Sequence, residues 1–287
     1  MKLETQFEKS ILKGYFSDMV FVDQREEEVF LSYLKGFSIL FFDTTVKNIV
    51  EIGGGQSTAI FSMMAERFNC KVNVIDMNPE AIKNKVKNAE LCENIFKNVN
   101  FHRGVSISRS DLEGYYDQKL MEIGGVPLQQ VIEMACEFID TIMDGRKEAS
   151  VLKILGIDRL DVANLQKTLI KEGGFPESLL NIFRNANDEF DFLPTGGTIN
   201  GLLSETLDHS DVDVVFLDSG EFSSLPEWEI VSKKLRVGGY VILHDIFFPK
   251  SFKNWLVCAS INASSNWNTI YLDRSTPQGL MVARKIK

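Results

Sequence analysis

The spacing of apolar residues along residues 47–107 alternates between that of short buried strands and that of amphipathic helices. The order is strand, helix, strand, helix and strand, with the second helix predicted over 79–96 and the third strand over 99–103. Strands that alternate with helices in this way predict a parallel sheet with right-handed crossover connections.

The same pattern returns in the last third of the chain. Strands are predicted at 212–217 and 240–243, followed by two more at 268–273 and 279–284. The short connection between the last two contains proline and glycine and predicts a terminal antiparallel hairpin. Alternation along the first of these strands also predicts an outward, solvated side chain at Asp213.

Two other regions do not show this alternation of strands and helices. Residues 1–46 have helical spacing and are expected to pack across an edge or mouth of the sheet. Residues 108–194 carry several helical patterns where a parallel crossover needs only one helix, which predicts an insertion. The core is then formed by 47–107 and 195–287, and the insertion is either a lid over an acceptor pocket or an oligomerisation arm.

The first predicted strand runs directly into three glycines, Gly53, Gly54 and Gly55, and a helix follows from Ser57. Glycine permits a tight turn and lets a ligand approach the backbone, while the helix start offers unpaired N–H groups. Open α/β sheets bind nucleotides at such a position. An ordinary strand–turn–helix connection remains the alternative, because glycine-rich fingerprints are weak by themselves.

An acid at the end of the second strand narrows the choice of ligand. Asp76 lies about 20 residues beyond the glycines, where an acid can accept hydrogen bonds from ribose hydroxyls. Dinucleotides and S-adenosylmethionine (SAM) both use this geometry. Thr58 stands where a dinucleotide fingerprint needs a small residue, and the negative charge of Glu51 would repel phosphate. The charge suits the ammonium and sulfonium cations of SAM.

With these residues in place, the chain resembles the class I SAM-dependent methyltransferases. The stretch Glu51-Ile-Gly-Gly-Gly-Gln-Ser-Thr is similar to their first motif, and Val74-Ile-Asp76-Met-Asn-Pro to their second. Downstream, Val214-Val-Phe-Leu-Asp218-Ser-Gly and Arg236-Val-Gly-Gly-Tyr-Val-Ile-Leu-His-Asp245 resemble the small-molecule O-methyltransferase branch, in which strands four and five each end in an acid. The resemblance implies a doubly wound, mostly parallel, seven-stranded Rossmann-like sheet that ends in an antiparallel hairpin.

The resemblance also implies a set of site residues. Residues expected to bind SAM are Glu51, Gly53, Gly54, Gly55, Ser57, Asp76, Met77, Gly104, Val105 and Ser106. Of these, Met77 and the turn 104–106 are expected to flank the adenine. Ser57 departs from the family pattern, since many members carry another glycine there.

Three residues are expected at the reacting centre: Asp218, His244 and Asp245. Asp218 and Asp245 end consecutive strands at the edge where doubly wound sheets bind ligands. His244 is the best candidate for a general base among three histidines. Strand alternation places His244 and Asp245 on opposite faces unless the chain turns between them.

A magnesium site at Asp218 and Asp245 is a further hypothesis, because Mg²⁺ prefers oxygen ligands. Ile246 stands where catechol-type enzymes carry an asparagine ligand, so Glu221 or a residue of the insertion would have to replace it. Without a metal, one acid would orient the acceptor and the other would cap a loop.

Composition restricts the function classes. A net charge of −9 argues against nucleic acid as a partner, and the four cysteines lack metal-ligand spacing and indicate reduced thiols. The start of the chain has no signal-peptide pattern, so we expect a cytoplasmic protein without a membrane partner. The favoured function is O-methylation of a small hydroxylated metabolite, with self-association as a homodimer left open. A non-catalytic SAM-binding protein and an NAD-type nucleotide-binding protein are the alternatives.

Overall fold

The computed structural model describes residues 16, 19, 21, 23–84, 96–112, 114–115, 201–208, 211–220, 222–246, 253–276 and 278–287. The described residues up to 107 and from 201 onward belong to one compact unit, and 108–115 belong to a second. The predicted insertion over 108–194 therefore falls almost entirely outside the described residues, and its role stays a prediction.

A seven-stranded sheet forms the centre of the first unit. Its strands are β1 Asn48–Ile52, β2 Lys71–Asp76, β3 Val99–Arg103, β4 Val214–Leu217, β5 Tyr240–His244, β6 Trp267–Asp273 and β7 Leu280–Lys285. They lie in the order β3-β2-β1-β4-β5-β7-β6. Strands β1 to β5 are mutually parallel, and β7 pairs antiparallel with both β5 and β6. This confirms the predicted fold class, including the terminal hairpin.

Helices flank this sheet. They are α1 Gln24–Phe41, α2 Gln56–Phe68, α3 Pro79–Lys83, α4 Leu202–Asp208, α5 Ser224–Lys234 and α6 Trp255–Ala263. Helix α1 begins after Asp23, whose side chain accepts a hydrogen bond from the backbone N–H of Glu26 at 2.9 Å. Helix α3 begins at Pro79 as predicted, while residues 85–95 of the longer helix expected there lie outside the described residues.

Each face of the sheet has its own hydrophobic core, because successive strand residues point to opposite faces. In β4, Val214 and Phe216 pack on one face, whereas Val215 and Leu217 pack on the other. The first core also contains the buried aromatic residues of α1 and α2, and the second contains Trp228 of α5. Both faces of the central strands are thus covered, as expected for a parallel sheet. No described helix is long and apolar enough to cross a membrane.

The structure corrects the prediction for Asp213, which is only 4% exposed. Its carboxylate accepts hydrogen bonds from the backbone N–H groups of Lys47 at 2.7 Å and Asn48 at 2.8 Å, and it pairs with Arg236 at 2.5 Å. Asp213 precedes the first residue of β4, so strand alternation does not fix its direction. It binds the chain where β1 begins.

Candidate functional site

The parallel strands β1 to β5 end along one side of the sheet, here called the carboxyl edge. At this edge β1 leads into Gly53, whose φ of 78° is in the left-handed region that favours glycine. A Cβ atom at Gly53 would lie 2.1 Å from the carbonyl oxygen of Asp218. Glycine is therefore required where the ends of β1 and β4 approach each other.

Asp76 ends β2 beside this turn and holds it in place. One carboxylate oxygen accepts a hydrogen bond from the backbone N–H of Gly54 at 2.9 Å, and the other accepts from that of Asn78 at 2.6 Å. A carboxylate can accept about four hydrogen bonds in all, so Asp76 retains lone pairs for ribose hydroxyls. A Cβ atom added at Gly55 would meet no atom of the described chain within 4 Å, so there is open space beside this part of the turn.

Glu51 lies beneath the turn with no exposed surface. One of its oxygens accepts a hydrogen bond from the hydroxyl of Ser57 at 2.5 Å, and the other has no partner among the described residues. Burial raises the pKa of Glu51 to about 8 against the hydrogen bond from Ser57, and the charges of Asp218 and Asp76 add to the rise. Because the carboxyl group is covered and retains its proton up to about pH 8, it would act on a ligand through Ser57 and not as a fixed negative charge.

The residues expected near an adenine lie at the ends of β2 and β3. Met77 is exposed, whereas Val105 and Ser106 are buried. The hydroxyl of Ser106 donates a hydrogen bond to Glu227 of α5, which also accepts one from Ser219 at 2.5 Å. Burial raises the pKa of Glu227, although hydrogen bonds from nearby serines oppose this. Sequence reasoning missed Glu227, because an acid on an amphipathic helix normally reads as a solvated residue.

The predicted catalytic residues meet at the carboxyl edge. Nδ1 of His244 lies 3.2 Å from Oδ1 of Asp218 and 3.7 Å from Oδ2 of Asp245. The ammonium nitrogen of Lys253 lies 3.0 Å and 3.1 Å from those same two oxygens. Two acids and two basic groups thus form one compact cluster, of which the sequence predicted all but Lys253.

A turn at the end of β5 explains how adjacent residues share this cluster. Asp245 has a φ of 56°, so the chain leaves the extended conformation directly after His244. The side chains of His244 and Asp245 can then point to the same region, which is the exception that strand alternation allowed. Asn254 secures this turn, since its amide nitrogen donates to the carbonyl oxygens of Leu217 at 3.0 Å and His244 at 2.7 Å.

The charged groups of the cluster shift one another's pKa values. Burial would raise the pKa of Asp218, but Lys253 and His244 outweigh burial and lower this pKa to about 2. For His244 burial acts in the opposite direction and would lower the pKa. The negative charge of Asp218 outweighs burial, so the pKa of His244 is raised. Tyr33 of α1 also reaches the cluster, with its hydroxyl 3.4 Å from Asp218 and its ring 5.0 Å from that of His244.

The cluster contains ligand atoms for a metal, although its donor set does not suit Mg²⁺. Single ligand atoms of Asp218, His244 and Asp245 lie within 4.8 Å of one another. Mg²⁺ requires about six oxygen ligands in an octahedron. Here Lys253 contacts both carboxylates, and Ile246 is buried with its backbone N–H bonded to the carbonyl of Gln278. Glu221, the proposed substitute ligand, lies outside the described residues.

Lys253 and Asn254 have no signal in the local sequence pattern. They stand nine and ten residues beyond the last residue of β5, and neither lies at a strand end or in a glycine-rich motif. Tyr33 belongs to a helix whose apolar spacing made it look like an ordinary core residue. Only the folded structure brings Lys253 and Tyr33 to Asp218, and Asn254 to the ends of β4 and β5.

No family model matches the chain, and no curated protein matches it. Several solved structures are similar. An O-methyltransferase from Bacillus cereus in complex with SAH has a TM-score of 0.41 and 11% identity, covering 99% of this chain and 89% of that chain. The O-methyltransferase TomG from Streptomyces achromogenes, in complex with SAM, has a TM-score of 0.40 and 11% identity, covering 99% and 90%.

An RNA methyltransferase from Salinibacter ruber, in complex with S-adenosyl-L-homocysteine, is similar at a TM-score of 0.38 and 12% identity, covering 93% of this chain and 95% of that chain. These solved structures are all methyltransferases, with O-methyltransferases and an RNA methyltransferase among them. In this chain, the strand order and the antiparallel β7 form the Rossmann-like sheet that the motif resemblance to class I SAM-dependent methyltransferases implies.

Proposed function

We propose that the protein is a SAM-dependent methyltransferase that methylates an oxygen atom of a small hydroxylated acceptor. The observation that supports this most strongly is the acidic glycine turn at the end of β1. Asp76 holds the backbone of the turn, and Glu51 lies buried beneath it. An acid that can reach ribose beside a turn with open space suits a nucleoside ligand.

Electrostatics favour SAM over a dinucleotide at this turn. The charges of Asp218 and Asp76 both raise the pKa of Glu51, so the negative charges of these two acids act at this turn. A pyrophosphate placed here would add to this repulsion, whereas the ammonium and sulfonium groups of SAM would relieve it. Glu51, Ser57 and the glycines would then surround the methionine part of SAM, and Met77 with residues 104–106 would surround its adenine.

Binding of SAM can be tested directly by calorimetric titration, with NAD as the competing ligand. Asp76→Ala should weaken SAM binding by roughly 2–4 kcal/mol, because hydrogen bonds to a charged group contribute about 1.5–3 kcal/mol each and are not additive. Unchanged SAM affinity in this variant, or tighter binding of NAD than of SAM by the wild-type protein, would overturn the assignment.

Two neighbouring glycines give a matched pair of variants for the same test. In Gly53→Ala the added Cβ would collide with the backbone of Asp218, so thermal stability should fall. In Gly55→Ala the Cβ enters open space, so stability should be retained while SAM affinity falls. If SAM affinity were retained in Gly55→Ala, the ligand would not lie against this turn.

The cluster of Asp218, His244 and Asp245 would carry the chemistry. SAM supplies the methyl group, which is transferred by an in-line displacement as the carbon–sulfur bonding electrons return to sulfur. Asp218 faces Nδ1 of His244 and would hold a proton there. Nε2, which has no partner among the described residues, would then accept the proton of the acceptor hydroxyl as its oxygen bonds to the methyl carbon.

The acidic composition supports a small acceptor rather than a nucleic acid. Turnover with a panel of small phenols and alcohols, measured as formation of S-adenosylhomocysteine, tests this part of the proposal. If only RNA or DNA were methylated, the proposed acceptor class would be wrong even though SAM binding held. Homodimer formation and a cytoplasmic location remain predictions from the sequence.

A further inference from the structure

Lys253 holds a central position in the acid cluster. Its ammonium nitrogen lies 3.0 Å from Oδ1 of Asp218 and 3.1 Å from Oδ2 of Asp245. The side chain of Lys253 is about one-fifth exposed, and those of both acids are slightly less exposed. A charge held between two carboxylates in a partly buried site is part of the structure of that site.

We propose that the ammonium group of Lys253 acts as a built-in cation that occupies the place between the two strand-end acids where a divalent metal ion would otherwise bind. The site would therefore exclude a divalent ion as long as this side chain keeps its charge. The consequence for catalysis, methyl transfer without a metal, rests on the proposed function, whereas the exclusion of metal does not.

Geometry supports this assignment. A Mg²⁺ ion would have to lie about 2.1 Å from the carboxylate oxygens. Because Lys253 contacts one oxygen of each acid, an ion bound to the same two oxygens would lie against the ammonium group. Two positive charges at such a distance repel strongly in a partly buried site. Binding of the ion would thus require Lys253 to leave.

The balance of charges also supports the proposed role of Lys253. The two carboxylates bring two negative charges, and Lys253 brings one positive charge. His244 provides a second cationic group when protonated, at 3.2 Å from Asp218. The cluster can therefore neutralise its acids with its own side chains, which a metal ion would otherwise have to do.

The test is the binding of Mn²⁺, followed by electron paramagnetic resonance as the loss of the free-ion signal. The full-length wild-type protein and Lys253→Met should be titrated in parallel, since methionine keeps a long side chain but removes the charge. We expect Lys253→Met to bind one Mn²⁺ at least about tenfold more tightly than the wild-type protein. Lys253→Arg should retain the charge and resemble the wild-type protein.

Two controls locate the effect. Lys234 pairs with Asp208 at 2.6 Å on the surface, so Lys234→Met also removes one positive charge beside an acid but should not gain a Mn²⁺ site. Adding Asp218→Asn to Lys253→Met should abolish the gained binding, because it removes a ligand. Circular dichroism checks that each variant is folded.

Tight binding of one Mn²⁺ by the wild-type protein, or no gain in a folded Lys253→Met, would overturn the proposal. Should Lys253→Met fail to fold, Lys253→Gln and the wild-type titration still decide it by the same criteria. None of these measurements requires SAM or an acceptor. Failure of this inference is therefore distinguishable from failure of the proposed function, which the SAM titration tests separately.

Discussion

Strand β4 carries one acid at each end, Asp213 before its first residue and Asp218 after its last. Asp213 accepts hydrogen bonds from two backbone N–H groups, those of Lys47 and Asn48, and pairs with Arg236. Backbone groups cannot move without moving the strand. Asp213 thus has a structural role.

Asp218 differs in the nature of its partners. Its carboxylate contacts the side chains of His244, Lys253 and Tyr33, which come from β5, from the residues before α6 and from α1. Nearby, Nε2 of His244 has no partner among the described residues. Side-chain partners can reorient and exchange protons, which a reacting centre requires and a structural contact does not.

The comparison indicates that the partners of a buried acid are more informative than its burial. An acid whose oxygens are satisfied by the backbone stabilises the fold, as Asp213 does. An acid satisfied by titratable side chains at the carboxyl edge of a parallel sheet is a candidate for function. Variants at the two ends of β4 should accordingly affect different properties.

The largest effect is expected for Asp218→Asn, which removes the negative charge that faces His244 and Lys253. Turnover should fall about 10³-fold, within the range typical for loss of an acid–base contribution. Affinity for SAM should fall less than in Asp76→Ala, since Asp218 contributes a negative charge near the ligand but is not expected to touch the ribose. Wild-type turnover in this variant would show that the reacting centre lies elsewhere.

A smaller effect, on stability alone, is expected for Asp213→Ala. This change leaves the N–H groups of Lys47 and Asn48 without their acceptor and Arg236 without its partner. The free energy of unfolding should fall by about 3 kcal/mol, which urea denaturation would measure. SAM affinity of the folded fraction should stay at the wild-type value. A selective loss of activity without destabilisation would contradict the distinction between the two ends.

The sequence predicted the fold well because the relevant signals are local. Apolar spacing located β1, β2 and β3, and glycines marked the turn after β1. Asp76, Asp218 and His244 could be placed at the carboxyl edge because each lies at the end of a strand, and parallel strands end along one edge. The hairpin of β6 and β7 followed in the same way from its short connection.

The site residues that the sequence did not predict depend on contacts between distant parts of the chain. Lys253 joins Asp218 across 35 residues, and Tyr33 joins it across 185. Neither distance leaves a pattern in the local sequence. Asp213 was misassigned because alternation applies within a strand, and this residue precedes β4.

The raised pKa of Glu51 predicts how the stability of the protein depends on pH. Its pKa is raised to about 8 in the folded protein against 4.5 ordinarily, chiefly by burial. The folded state therefore retains a proton that the unfolded state loses. This contribution to stability is complete below pH 4.5 and is lost as the pH rises through 8.

Between these pH values, the proton on Glu51 should make the free energy of unfolding fall by about 1.4 kcal/mol for each unit by which the pH rises. Glu51→Gln should flatten this slope, as measured by urea denaturation at several pH values. Glu227, whose pKa is also raised, adds a slope of the same sign, so some dependence will remain. Glu66→Gln, at an exposed residue, is the control. An unchanged slope in Glu51→Gln would mean that Glu51 is ionised throughout.

The smallest effects are expected for two tyrosines. The hydroxyl of one lies near the amino ends of the parallel strands, and that of the other lies at the carboxyl edge. The hydroxyl of Tyr240 donates a hydrogen bond to Asp43 at 2.6 Å, close to the start of β5, whereas that of Tyr33 lies 3.4 Å from Asp218. Tyr240→Phe should lower the free energy of unfolding by about 1 kcal/mol and leave turnover unchanged. Tyr33→Phe loses a longer and weaker contact, so its stability should change by less than about 0.5 kcal/mol. Because that contact faces the reacting centre, turnover should still fall several-fold. Equal stability losses in the two variants, with turnover intact in both, would remove the functional distinction between the two ends of the strands.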